Sequence, residues 1–499
     1  MLIKKIIMNM SQTRKRLCLP ALGHSFVLLL LVLSLPFISR AQQFATPLSL
    51  EAAVDSAMNN NHKVQQYQEL VKQKEYLVKA AKGNYLPSVD ANGGYTWLSK
   101  NPEVNMGLVK NSLDEGLQAY SQALAQSGAI PADMLPVLGG IMQEVSQMPM
   151  SNLVIDQNKY PNLNLSVVQP LYTGGKITAG LRYAKADKES AEQQLKEVKD
   201  RLTRETLKNY YSVVLLQKVV ETRQRVLAGM RKHERQAEKA YDVGMINRQD
   251  LLRAKVAVAN AERDLSDDEN KLSLAMMALK TNMGMPSGAS VVLTDTLKFK
   301  AVPLDIENLQ QQALLHQPVF KMINQQEKMV QQKKAVERSS FLPQVALWGQ
   351  YSGFQDEYPV VMPPAMIGIQ AKINLFDGFK KVNNLKATKR QQQQVVEARE
   401  YAHQQVNLWI NQSYRKVMDA QERYLKMKPT VALSDENLKV AEKRFQEGLS
   451  KSIDVIDARL MDEKIRIEQL HSLYDYNIAL ADVYLATGQP EKAIEVLKR

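Results

Sequence analysis

Four short stretches of the chain alternate apolar and polar residues with a period of two. In the first, Val89, Ala91, Gly93, Tyr95 and Trp97 take one side and Ser88, Asp90, Asn92 and Thr96 the other. In the second, Leu163, Leu165, Val167 and Leu171 alternate with Asn162, Asn164 and Ser166. In the last, Ile367, Ile369, Ala371, Ile373 and Leu375 alternate with Gln370, Lys372 and Asn374. The stretch after Pro343 is less regular: Val345, Leu347 and Tyr351 share a face while Trp348 takes the opposite one. This pattern predicts strands with one apolar face, at about 85–98, 160–173, 342–354 and 365–376.

Between and after these stretches the period changes. From Ile177 to Met230 there is no proline, and Gly180 and Gly229 are the sole glycines. Ile177, Leu181, Ala184, Ala191, Leu195, Val198 and Leu202 follow the four-three spacing of a coiled-coil seam, with Lys188 in one apolar slot. A helix from Lys176 to about Tyr241 would be roughly 100 Å long at 1.5 Å per residue. Its counterpart, Lys380 to about Phe445, contains Pro429, which is expected to kink or break it. Each long helix ends near a glycine (Gly244, Gly448) and turns into a second heptad-like helix, 248–283 or 452–487. The chain therefore predicts two long antiparallel helical hairpins.

These elements occur twice. Tyr85-Leu-Pro-Ser-Val89 matches Phe341-Leu-Pro-Gln-Val345, and Tyr95 falls on Tyr351, at an offset of 256 residues. Pro170-Leu-Tyr-Thr-Gly-Gly-Lys176 matches Asn374-Leu-Phe-Asp-Gly-Phe-Lys380 at 204, and the same offset superposes Tyr241–Asp250 on Phe445–Asp454. The change of offset, 256 − 204 = 52, places one extra segment of 52 residues in the first copy, between about Leu98 and Tyr160. The organisation expected is a cleaved segment 1–41, a first repeat 42–290 with an outer loop at about 99–159, a linker 291–304, a second repeat 305–490 and a tail 491–499.

The N-terminal region sets the compartment. Lys4, Lys5, Arg14, Lys15 and Arg16 precede an apolar run, Phe26–Phe37, too short to span a bilayer as a helix, and Ser39-Arg40-Ala41 supplies the small residues of a cleavage site. Cleavage after Ala41 is expected. The segment 1–41 carries six Lys/Arg and no acid, so the overall +13 falls to +7 in the remainder. Spread so thinly, that charge does not describe a nucleic-acid-binding face. With no long apolar helix, an exported chain that enters a membrane must do so as β-structure. Four strands cannot close a barrel, whose smallest form needs about eight; several chains must share one.

Enzyme chemistry finds no foothold. The only cysteine, Cys18, lies in the segment expected to be removed. Gly174-Gly175-Lys176-Ile177 lacks the upstream glycine and the Ser/Thr of a phosphate-binding loop. His62, His233, His316, His403 and His471 have no ligand-like spacing and read as surface or packing residues. No metal or cofactor is called for.

Taken together, the doubled architecture, the two Leu-Pro strand starts, the strand-to-helix signatures Gln169–Lys176 and Asn374–Lys380 and the tip signatures Val243–Leu252 and Glu447–Ala458 resemble the TolC-like outer-membrane efflux protein family, over about Leu48 to Pro490. The resemblance implies a mainly α fold with a membrane β-barrel. Three identical chains would pool twelve strands in the outer membrane, and their helices would continue as a periplasmic tunnel. It implies a periplasmic adaptor (membrane fusion protein) and an inner-membrane pump of RND or ABC type as partners. The chain would then be the exit duct of a tripartite efflux or type I secretion system; a periplasmic coiled-coil scaffold with a soluble sheet is the alternative.

The candidate site residues lie at the hairpin tips. Asp454 and Asp457, three apart on one helix, would form carboxylate rings under threefold symmetry and draw cations. Asp250 occupies the equivalent tip position of the first copy. A helix-dipole role at an N-terminus is the competing reading for all three. Phe445 and Ser450 stand where the family's best-known pattern has Tyr and Arg, so its hydrogen bonds and ion pair to Asp250 cannot form. The tip loops, with Gly244, Met245 and Asn247 in one and Gly448, Leu449 and Ser450 in the other, would dock the adaptor. Trp97, Tyr95, Trp348 and Tyr351 are candidate anchors at the membrane interface.

Overall fold

A computed structural model describes residues 46–127, 131, 133–147, 151–156, 158–354 and 363–498. The expected signal segment 1–41 and its cleavage site lie outside the described residues. In chain order the elements are β1 (Thr46–Leu48), α1 (Leu50–Asn60), α2 (His62–Gly83), β2 (Ser88–Trp97), β3 (Glu103–Val104), α3 (Met106–Ser127), α4 (Leu135–Gln147), β4 (Leu153–Val154), β5 (Lys159–Tyr172), α5 (Lys176–Asp242) and α6 (Arg248–Asn282). There follow β6 (Val291–Leu293), α7 (Ile306–His316), α8 (Pro318–Ser339), β7 (Gln344–Gly353), β8 (Ala365–Lys372), α9 (Lys380–Gln446), α10 (Ser452–Ala486) and α11 (Pro490–Lys498). Of the described residues, Thr46 and Pro47 with Gly288–Val292 form a small unit. Everything discussed below belongs to the large unit, Leu48–Ser287 and Leu293 onward.

The long helices repeat at equal length: α5 and α9 each have 67 residues, α6 and α10 each have 35. Equivalent contacts recur at the two offsets. Asn61 Nδ2 donates to the Asn282 carbonyl (2.8 Å), and Gln317 Nε2 to the Ala486 carbonyl (2.5 Å). Both long helices start after a residue in the left-handed region, Gly175 (φ 83°) and Phe379 (φ 63°). Phe379 accepts a conformation that costs a non-glycine residue about 1–2 kcal/mol, and its ring lies edge-on to Phe376 at 5.5 Å.

Pro429 does not break α9, which continues through it from Lys380 to Gln446. The proline removes the bond to the Leu425 carbonyl, but both residues lie on the exposed side of the helix, where water can take the freed carbonyl. On the other side α9 is held by α10: Val417 and Ala420 join Tyr476, Leu480 and Val483 in one buried cluster.

The four main strands form one antiparallel sheet in the order β2-β5-β7-β8. Register pairs Ala91 with Leu165, Leu165 with Tyr351, and Leu347 with Ile369, so the apolar positions of all four strands share one face. That face is uncovered: Val89, Ile367 and Ile369 are about two-thirds or more exposed. At the edges, β2 and β8 each have one partner strand among the described residues.

The 52-residue addition, expected as an outer loop, is largely helical. Its ends extend the β2–β5 ribbon outward through Leu98 and Asn158 to the β3–β4 pair, and between β3 and β4 stand the antiparallel helices α3 and α4.

Candidate functional site

Both hairpin tips are built by the same turn. The chain leaves α5 with Gly244 N–H donating to Tyr241 O (2.9 Å) and Met245 N–H to Ala240 O (2.8 Å). It leaves α9 with Gly448 N–H to Phe445 O (3.0 Å) and Leu449 N–H to Arg444 O (2.8 Å). The glycines sit at φ 75° and 72°, the left-handed cap that glycine enters without a Cβ penalty. The two turns adjoin: the Met245 methyl lies 3.3 Å from where a Cβ on Gly448 would be. Val243, Met245 and Leu449 are more than 60% exposed, an apolar surface at the end of the hairpins.

The aspartates sit just inside the helices that follow. Asn247 caps α6 by accepting the Asp250 N–H (2.9 Å). In the second copy the roles reverse: the Asp454 carboxylate accepts the Lys451 N–H (2.9 Å) and completes the first turn of α10. Asp454 thus has a capping role, yet both it and Asp457 remain exposed. They line a shared groove of about 400 Å³ with Asn437, Arg444 and Ser450. Asp250 is mostly covered and pairs with Arg253 of its own helix at 3.8 Å. It is not brought together with Asp454 and Asp457 in that groove.

Phe445 and Ser450 have other work. Phe445 is buried with its ring 4.7 Å from that of His233, edge to face. His233 Nε2 shares a hydrogen bond with Ser452 Oγ (2.8 Å), while its Nδ1 is buried without a partner. Burial first, and the Arg459 charge second, push the imidazole down to about 4, against the Ser452 backbone, which raises it. The ring is therefore neutral at pH 7. Ser450 Oγ is also buried without a partner. His233 on α5 meeting Phe445 and Ser452 ties the first repeat to the tip of the second.

Three further contacts form the same seam between α5 and α10. Arg459 of α10 lies over Gly229 of α5, where any side chain would overlap its guanidinium, and pairs with Glu442 of α9. One and a half turns away, Arg223 donates from Nε to Asp268 (2.8 Å) and from Nη1 to Glu463 (2.6 Å), joining α5, α6 and α10. Burial raises the Glu463 carboxyl against the pull of Arg223. Burial also acts on Asp268, but hydrogen bonds from Lys271 and Arg223 outweigh it and hold that carboxyl low. Farther along, Arg204 grips Asp482 with two bonds, 2.6 and 2.9 Å.

Of the seam residues the sequence marks Gly229 and His233 alone, and neither as part of a contact between α5 and α10. The isolated Gly229 in a 67-residue helix was the available signal, because an interior glycine costs about 1 kcal/mol and needs a packing reason.

At the sheet, Trp97, Tyr95 and Tyr351 lie on the apolar face toward the outer strand ends and are more than half exposed. Trp348 stands apart. It pairs with Val168 and Gly368 on the polar face, and its indole nitrogen closes to 3.0 Å of the position a Gly368 Cβ would take. That placement is unlike an anchor facing lipid. At the helix end of the sheet, Tyr172, Phe376 and Phe379 are exposed.

The chain matches the family model for outer membrane efflux protein over residues 53–285 and 309–489. No curated protein matches it by sequence. Among solved structures it is similar to VceC of Vibrio cholerae, an outer membrane protein (16% identity, TM-score 0.67, covering 88% of this chain and 96% of that one). It is similar to the CmeC outer membrane channel of Campylobacter jejuni (14%, 0.68, 88% and 86%), and to the open state of the MtrE outer membrane channel of Neisseria gonorrhoeae (16%, 0.66, 88% and 89%).

Proposed function

The chain belongs to the outer membrane efflux protein family, and from that premise we propose that three copies close one twelve-stranded barrel in the outer membrane and continue it as a helical tunnel through the periplasm. Its work is permeation: the protein is the outer-membrane exit duct of an efflux system.

One observation supports the ring above others. Within the chain, α5 packs along α10 through Arg204, Arg223, Gly229 and His233. At the 204 offset, α9 is the counterpart of α5 and α6 the counterpart of α10, but that second seam is unmade. Leu408 and Leu433 of α9, which replace Arg204 and Gly229, are 50% and 72% exposed, as are Val256 (60%) and Leu274 (64%) of α6. The seam is completed when α9 of one copy meets α6 of the next. The sheet repeats the logic, since β8 of one copy can pair with β2 of the next. A soluble scaffold would leave both the apolar sheet face and this second seam in water, at about 25 cal/mol for each Å².

A periplasmic adaptor docks at the exposed tips around Val243, Met245, Asn247 and Leu449, and an inner-membrane pump behind it, of RND or ABC type, chooses the cargo. In the ring, Asp454 and Asp457 become six carboxylates around the tunnel's periplasmic end and favour cations. Replacing both with alanine is expected to lower cation-over-anion selectivity in planar-bilayer conductance severalfold. Unchanged selectivity in a trimer that still forms would remove both residues from the constriction. A protein that is released without detergent, or runs as a monomer when solubilised, would end the assembly itself.

A further inference from the structure

The helical insertion between β3 and β4 has one covered face and one bare face. In α3, Leu117 and Leu124 are half-buried, as are Leu138 and Met142 in α4, which places them between the two helices. Beside that buried line runs a second one. On α3 it holds Val109, Leu113, Gly116, Tyr120 and Ala123, a four-three-four-three spacing that makes a continuous coiled-coil-like stripe. On the other arm it holds Met134, Val137 and Ile141. Both lines are displaced in the same rotational sense from the buried face, at about 100° per residue. In an antiparallel pair that puts them on the same side of the hairpin. The large apolar residues of this side are 43–64% exposed.

The position of this face narrows what can cover it. The hairpin stands on a ribbon that continues β2 and β5 beyond Trp97, at the end of the sheet opposite the long helices. β2 is an edge strand, so the root of the hairpin sits at the boundary with the next copy. A twelve-stranded barrel with strands about 4.8 Å apart and tilted about 40° has a radius of roughly 12 Å. The 22 residues of α3 reach about 33 Å, enough to cross from the wall to the threefold axis. The charge argues against a membrane surface as occupant: residues 106–147 carry Lys110 alone against Asp114, Glu115, Asp133 and Glu144, whereas helices that lie on anionic membranes are rich in Lys and Arg.

We propose that this apolar face is an interface between copies of the chain, through which three insertion hairpins meet over the outer mouth of the barrel and form a helical cap on the exit. The proposal rests on the trimeric reading above. In the cap the α3 stripes pack around the axis and exclude water, and export requires them to part.

Site-directed crosslinking tests it in cells, with Cys18 replaced by serine. Leu113→Cys and Tyr120→Cys are placed on the stripe and Gln122→Cys on the opposite side of α3, and each is oxidised with copper-phenanthroline. The two stripe variants are expected to give a band of twice the chain mass, at least fivefold stronger than Gln122→Cys. In parallel, replacing 106–147 by a short Gly-Ser link is expected to leave the trimer intact and at least double its single-channel conductance. A trimer whose stripe cysteines do not link to each other, or link equally from both faces, or link to a different protein, overturns the cap. So does an excision that leaves conductance unchanged. If no trimer is recovered from any variant or from the parent chain, the assembly has failed and the cap with it, and the parent chain's size in detergent distinguishes that result.

Discussion

Acidification should loosen the hairpin tips through one residue. His233 is buried against Phe445 and Ser452, and its imidazole titrates at about 4 instead of the 6.5 of a free side chain. A depressed histidine value means that the unfolded or opened state binds the proton more tightly than the packed one. Between about pH 6.5 and 4, stability therefore falls as pH falls. The gap between 6.5 and about 4 is worth roughly 3 kcal/mol for each copy once the window has been crossed, at 1.36 kcal/mol for each tenfold change. The new cation also has a poor neighbour, because Arg459 is the charged group that already lowers it, and Glu442 is occupied with Arg459. The contact that gives way is the one holding α5 to the first turn of α10. Two measurements report it: protease sensitivity of the tips in detergent, and bilayer conductance stepped from pH 7.5 to 4.5. The parent channel should become more cleavable and more open across this range, with most of the change below pH 6. His233→Gln, which keeps a hydrogen-bond group for Ser452 and does not ionise, should flatten both profiles. An unaltered acid response in His233→Gln would refute the reasoning, whatever the stability of that variant at pH 7.5.

Other consequences can be read along the same seam. Arg223→Met strands Glu463 in a buried position and leaves Asp268 to Lys271 alone, and should cost about 3 kcal/mol or more in denaturant or thermal unfolding, with Glu463→Gln in the same chain recovering part of it; a variant as stable as the parent would show that Arg223 is dispensable. Gly229→Leu, the residue found at the equivalent position of the second repeat, must expel Arg459 and should destabilise by about 1–3 kcal/mol, and adding Arg459→Ala should recover most of that if the overlap is the cause. Phe379→Gly should relieve left-handed strain at the start of α9 and raise the unfolding temperature by the equivalent of about 1 kcal/mol; a fall would mean that the Phe376 contact outweighs the strain.

Much of the architecture was legible because it is periodic and doubled. The strand alternation and the four-three spacing are local signals, and the offsets of 204 and 256 put the same elements in both halves. The same offsets relate Asn61–Asn282 to Gln317–Ala486 in three dimensions. What was missed has specific causes. The second insertion helix carries Pro136 and a Gly139-Gly140 pair, which lower its propensity, while the first has helix formers and a four-three apolar stripe that were passed over because the segment was read only as an insertion between two strands. Pro429 was expected to act on α9 through its missing donor, but one lost bond on an exposed face is small beside the packing that α10 supplies along the other face. The charged seam was invisible because Arg223 and Glu463 are 240 residues apart, and no spacing rule links them.

The departures between the repeats explain where the chain is closed on itself and where it is left open. Arg223, Gly229 and His233 of α5 have Met427, Leu433 and Asn437 as their counterparts in α9. The first set makes an ion-paired, close-approach seam with α10 that lies within one chain. The second set leaves Leu433 exposed and Met427 half-buried, an apolar surface that the trimeric reading assigns to a neighbouring copy. Polar contacts with demanding geometry are suited to a seam that folds once, because each buried charge must find its partner at a fixed distance. An apolar stripe tolerates small sliding with little penalty, since its energy depends on area more than on direction. If a tunnel of three such chains widens at its tip, the apolar seams between copies can slide while the His233, Arg459 and Arg223 contacts must break. The seam within the chain is therefore the one that sets the threshold for opening, and it is there that single substitutions should shift the balance between closed and open.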